Sequence, residues 1–278
     1  MSPGDTYPIA LACGFTRMDQ TAPWKWLHRP GSDDFHYFKK IRSTLGAAGF
    51  RTFHTTVAWG APLAVRANDL GREIDSILAI SGAEKVHVIG HSMGGLDTRY
   101  AIALLGYAGK VASLTTIATP HHGSPLADMV VEHKNGSQRI LEGLRAVGLD
   151  LRGIVDLTTH ECAARNERLE PLEQNNGVVY QTYAGVTTFL PTFPPLKAGY
   201  LMLKLRYHQP ENDGLVPLSS ARWNDEVFRG TVPWDHLNQI GWWTPERMLA
   251  GDFVASRFEE SVREFYVGVA RGLRGFQA

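Results

Sequence analysis

The chain has 278 residues, 44% of them hydrophobic, 10% aromatic and 20% charged, with 28 Lys plus Arg set against 28 Asp plus Glu. That length suits one large α/β domain whose core needs no staples, and the composition excludes a disordered or collagen-like chain. A formal net charge of zero gives no reason to expect nucleic acid or an anionic membrane as an obligatory partner.

In chain order, short β-type runs at 8–12, 50–57, 85–89 and 111–118, with a later one at 178–185, alternate with helix-period segments. This alternation predicts βαβ units and a mostly parallel sheet with helices on both faces. Leu70, Ile74, Ile77 and Leu78 make one apolar stripe, with Arg72, Glu73 and Asp75 turned away from it. Near the end of the chain Phe258, Val262, Phe265, Tyr266 and Val269 repeat the spacing opposite Glu259, Glu260, Arg263 and Glu264. Both stripes are expected to cover the sheet. From 124 to 173 the strand signal disappears, and Ile140, Leu141, Leu144, Val147 and Leu151 are spaced like a partly apolar helix. Residues 124–176 are therefore expected to be a helical lid or cap inserted over a sheet edge of a single domain spanning 1–278. Residues 186–205 carry Phe189, Leu190, Phe193, Leu196, Tyr200, Leu201 and Met202 among prolines, more apolar bulk than an ordinary loop holds.

Two cysteines, Cys13 and Cys162, exclude a disulfide scaffold and a four-thiolate metal site, although one bridge is arithmetically open. The apolar runs at 8–15 and 186–205 are too short or too interrupted to span a bilayer. Residues 1–7 lack the basic start and long apolar core of a secretory signal, which leaves a cytoplasmic protein or a mature exported form.

The strongest chemical signal is Gly90-His91-Ser92-Met93-Gly94, which follows a β-rich run and opens a helix through Leu96, Tyr100 and Leu104. G-x-S-x-G needs small residues at both ends because the chain reverses sharply from strand to helix, leaving the serine hydroxyl exposed. Ser92 is the candidate nucleophile, and a tight turn carrying a spectator serine is the bland alternative. A serine needs a base and the base needs an acid, in the order Ser, acid, His for α/β-hydrolases. Asn212-Asp213-Gly214 and then Trp234-Asp235-His236-Leu237 follow in that order, making Asp213 the candidate acid and His236 the candidate base. Asp156, Asp225 and Asp235 are rival acids, Asp235 having a second reading as a capping residue. His91, His121, His122, His133, His160 and His208 all have structural readings. Two backbone N–H groups would hold the oxyanion: that of Met93, after the nucleophile, and that of Phe15, in the early Cys13-Gly14-Phe15 loop.

These separated motifs, with Ala118-Thr119-Pro120-His121-His122-Gly123-Ser124 between them, resemble the bacterial true lipases of the Pseudomonas, Burkholderia and Proteus group over most of the chain. The resemblance implies an α/β-hydrolase fold with a helical lid, acting on acylglycerol esters at a lipid–water interface. The triad positions fall on Ser92, Asp213 and His236. Cys13 stands where that family has His before the oxyanion glycine, and is better read as a thiol outside any bridge. The family's structural calcium takes a carboxylate shortly after the catalytic histidine; Leu237-Asn238-Gln239-Ile240 has none, so no metal and no cofactor are expected. A zinc site from His121, His122, His160 and Cys162 matches no compact ligand spacing. The leading expectation is thus a serine carboxylic ester hydrolase of the triacylglycerol lipase kind. A polyhydroxyalkanoate-like polyester depolymerase or short-chain esterase is the alternative within the same chemistry. A non-catalytic lipid- or partner-binding module is the alternative outside it.

Overall fold

Six short strands pair in parallel in the computed structural model, which describes residues 7–14, 32–58, 60–132 and 151–276. In chain order they are β1 (Ile9–Ala12), β2 (Thr52–His54), β3 (Val86–His91), β4 (Val111–Ile117), β5 (Val179–Gly185) and β6 (Phe228–Val232). Their spatial order is β2-β1-β3-β4-β5-β6. Every residue of β1, β3 and β4 is buried, as central strands covered on both faces must be.

The alternation of side chains along β1 splits the core in two. Ile9 and Leu11 join a cluster with Ile41, Leu45, Phe258, Val262 and Tyr266, supplied by helices α1 (Ile41–Ala47) and α8 (Ala255–Leu273). Ala10 and Ala12 join the opposite cluster with Leu70, Ile74 and Ile77, supplied by α2 (Leu63–Ser81). Both apolar stripes seen in the sequence therefore face the sheet, with Leu78 and Phe265 packed at the margins. Helix α3 (Met93–Leu104) follows β3 directly.

Several expected boundaries move. The run at 50–57 pairs only over Thr52–His54, and Thr55 closes that ladder with its N–H and hydroxyl both donating to the Leu11 carbonyl. β3 extends two residues further, to His91, and so delivers the chain straight into the elbow. β6 had no expected counterpart of its own: a short edge strand reading Phe-Arg-Gly-Thr-Val lacks a continuous apolar run.

Within 124–176 the described residues form α4 (Pro125–Glu132), α5 (Leu151–Val155) and α6 (Thr159–Glu173), with no strand among them. The stripe Ile140, Leu141, Leu144 and Val147 and the rival His133 lie outside the described residues. Helix α6 is not laid over a sheet edge as expected: Cys162 joins Met93 and Leu96 in one cluster, and Arg99 on α3 donates to both oxygens of Glu173. It rests on the helix that follows the elbow. Residues 186–205 also depart from a loop, forming α7 (Pro194–Leu201) continued by a π turn at Met202–Arg206. Cys13 and Cys162 form no disulfide; the Cys13 thiol meets the Thr55 carbonyl, and that of Cys162 lies against the carbonyls of Pro120 and Asp156.

Candidate active site

Ser92 occupies the single residue between β3 and α3 with φ 56° and ψ −129°, a conformation that costs a non-glycine residue about 1–3 kcal/mol. The turn can be this tight because of the flanking glycines. A Cβ at Gly94 would overlap the Ala12 carbonyl, and one at Gly90 would come within 2.8 Å of the Gly95 nitrogen. Bonds on both sides lock the strained residue: its N–H donates to the Ile117 carbonyl at 2.9 Å, and the Thr119 hydroxyl donates to its carbonyl at 2.8 Å. Strain and locking together are what a turn that must present a side chain outward requires. Met93 is the first helical residue, so its N–H belongs to the unpaired end of α3, where the peptide dipoles favour negative charge.

Asp213 is fully buried in the turn after α7. One of its oxygens accepts the N–H groups of Leu215 (3.0 Å) and Val216 (2.8 Å), which orients the carboxylate. The other accepts Nδ1–H of His236 at 2.7 Å and the Gln239 amide at 2.9 Å. A carboxylate at Nδ1 holds the proton there and leaves Nε2 with its lone pair. The two turns are also tied by backbone, since His236 N–H donates to the Asp213 carbonyl at 3.0 Å.

Ser92 and His236 line the same cavity of about 290 Å³, at the small end of ligand-pocket volumes. Its apolar wall comes from Leu126, Ala127 and Val130 on α4, from Ile154 and Leu157, and from Leu215 and Val216 beside the acid. The apolar bulk of 186–205 contributes nothing to this wall: among the described residues none of that segment lines the cavity. Helix α7 sets Gly199 against Leu126 and the Gly214 carbonyl in the Asp213 turn, and so backs the wall from outside.

The rival acids have other partners. Asp235 accepts the N–H groups of Leu237, Asn238 and Phe193, the capping role weighed for it, and burial pushes its carboxyl up from the usual carboxylate range. Asp156 accepts Leu63 N–H, and exposed Asp225 pairs with Arg222. His121 is buried against Arg99 and Thr116, with burial pushing its pKa well down, and His160 is exposed. Among the described residues no group of three or more His, Cys, Asp or Glu side chains could hold a metal ion. Phe15 lies outside the described residues.

Other polar groups at the site were invisible to motif reading. Tyr37 lines the cavity and places its hydroxyl 2.7 Å from His91 Nδ1; the His91 ring in turn sits 4.6 Å from that of His236. Burial pushes the Tyr37 phenol far up and the His91 imidazole well down, so both stay neutral. Arg66 is fully buried, donating to Asp97 and to the carbonyls of Cys13 and Gly14 at 3.2 Å each. It therefore ties the backbone that leaves β1 to α2. A signal existed for this one: Arg66 falls on the apolar stripe with Leu63, Leu70 and Ile77, where a charge needs a buried partner.

Known proteins resemble this chain in sequence and in fold. Residues 55–137 match the PGAP1-like alpha/beta domain. The chain is 29% identical to a triacylglycerol lipase of Vibrio cholerae over 262 residues, covering 84% of this chain and 79% of that protein. It is 34% identical to a triacylglycerol lipase of Pseudomonas fragi over 122 residues, covering 44% of this chain but only 37% of that protein. The mature lipase BlEst2 of Bacillus licheniformis superposes with a TM-score of 0.65 at 19% identity, covering 84% of this chain and 86% of the other. The fold is that of the α/β hydrolases. Within it, the chain is a carboxylic ester hydrolase, similar in sequence to triacylglycerol lipases.

Proposed function

We propose that the chain hydrolyses lipid carboxylic esters through an acyl-enzyme on Ser92, with His236 as general base and Asp213 as its orienting acid. The observation that carries this reading is one cavity wall bearing both a serine in a strained strand-to-helix turn and a histidine whose Nδ1–H is held by a buried carboxylate. His236 Nε2 takes the proton as Ser92 Oγ attacks the ester carbonyl, then returns it to the departing alkoxide. Water, deprotonated by the same nitrogen, frees the acid and restores the serine. The N–H groups of Met93 and Phe15 hold the oxyanion. The insertion at 124–176 acts as the cap whose α4 face receives the acyl chain.

Triacylglycerol is the proposed substrate, since an apolar wall suits an alkyl chain and triacylglycerol lipases are among the relatives. Turnover of p-nitrophenyl esters of rising chain length, emulsified triacylglycerol and a polyester film tests this. Ser92→Ala is expected to abolish hydrolysis of all of them while the protein stays folded. Hydrolysis confined to acetate, or to the film, would replace the lipase reading by the short-chain esterase or depolymerase one.

A further inference from the structure

Several large apolar residues of 186–206, a segment that stays out of the catalytic cavity, lie on the surface. Leu201 and Leu205, on α7 and its π turn, are 36% and 67% exposed, and Leu190 in the turn before them is 58% exposed. Cations stand among them. Exposed Lys204 and Arg206 lie over the rings of Tyr200 and Tyr207 at 5.9 and 5.6 Å, and Lys197 lies over Phe189 at 5.2 Å. Between Glu173 and Glu211 the sequence contains no carboxylate at all. Chain-wide neutrality hides this segment, because its charge is balanced elsewhere.

The inner side of the same element is anchored beside the site. A Cβ at Gly199 would overlap the Gly214 carbonyl and come within 3.1 Å of Leu126, and Leu203 is fully buried. Leu126 and Leu215 line the cavity, and Leu215 is itself 38% exposed. The π turn at Met202–Arg206 adds a departure from regular helix of a kind that recurs at functional positions. Exposed leucines with basic side chains between them match the face of a helix lying in a lipid interface, with the aliphatic residues in the acyl boundary and the cations at anionic headgroups.

We propose that α7 and its π turn are a docking surface for an anionic lipid–water interface, seated beside the mouth of the catalytic cavity. The surface gives the ester-hydrolase reading its partner and rests on that reading for its purpose, but binding is measured without turnover. The attraction is short-ranged, since only the local patch carries it, and salt screens it.

The test is flotation of the full chain carrying Ser92→Ala with vesicles of phosphatidylcholine alone and of phosphatidylcholine mixed equally with phosphatidylglycerol. Partition is expected to be at least about tenfold greater on the anionic vesicles and to fall with salt. Combining Lys197→Gln, Lys204→Gln and Arg206→Gln should lower it roughly a hundredfold. Leu201→Ser with Leu205→Ser should weaken it as well. With Ser92 intact, both sets should leave turnover of a soluble butyrate ester unchanged. Equal partition on the two vesicles, binding untouched by the triple substitution, or no binding to either would overturn the docking surface. Absence of soluble-ester turnover in the unsubstituted chain would instead overturn the ester-hydrolase reading, with the flotation result still deciding the surface.

Discussion

Asp213 and Asp235 stand in neighbouring turns, and both are fully buried carboxylates that accept two successive backbone N–H groups with one oxygen. They differ in the other oxygen. That of Asp213 accepts His236 Nδ1–H, whereas that of Asp235 accepts the Phe193 N–H at 2.8 Å and ties the start of α7 to the histidine loop. Burial and backbone bonding thus make either residue a rigid acceptor; only the partner of the second oxygen separates a group that acts on a base from one that holds a loop. Gln239 joins the two turns, donating to Asp213 Oδ2 at 2.9 Å and to the Asp235 carbonyl at 3.2 Å.

Substitutions should separate these roles. Asp213→Asn removes the charge and offers His236 an amide in place of a pure acceptor, so kcat is expected to fall about 10⁴-fold with the fold retained, measured by ester turnover and circular dichroism. Asp235→Asn should act mainly on stability, costing about 2 kcal/mol from the N–H groups left short of an acceptor and changing kcat less than about tenfold. Its pH dependence sharpens the contrast. Burial raises the folded pKa of Asp235 above the ordinary carboxylate value of 3.8, so the contribution linked to its proton is complete below that value and is lost as pH rises through the folded pKa. The thermal margin of the unsubstituted chain over Asp235→Asn should therefore be widest in acid and shrink towards neutral pH; a margin that widens with pH would contradict the assignment. Gln239→Ala should have the smallest effect, a fall in kcat of about three- to tenfold with little change in melting temperature, since one neutral donor to the acid is lost.

The same pair shows what local sequence could carry. Asn-Asp-Gly ahead of Leu-Val-Pro, and Asp-His-Leu after it, are turn chemistry visible in a few residues, as is a glycine-flanked serine after a strand. What the second oxygen of each aspartate meets is decided by residues more than twenty positions away, and no periodicity encodes it. Tyr37 and His91, Arg66 and the Gly14 carbonyl, and Arg99 and Glu173 were hidden for the same reason: each is a contact of long sequence separation between elements that pattern had located one by one. The central strands were legible because burial on both faces leaves short runs rich in Val, Ile, Leu and Thr without a charged residue. β6 was not, because an edge strand needs no such run. The apolar bulk at 186–205 was visible, but not its direction, since side chains bound for a cavity and for an outer surface look alike in sequence.

The most direct measurement on the central claim is mass spectrometry of the chain treated with a p-nitrophenyl alkylphosphonate, comparing the unsubstituted protein with His236→Ala. The account predicts one adduct per chain, on the peptide containing Ser92, formed at a rate that collapses when His236 is removed. Labelling on another residue, or labelling of Ser92 at an undiminished rate without the imidazole, would contradict it.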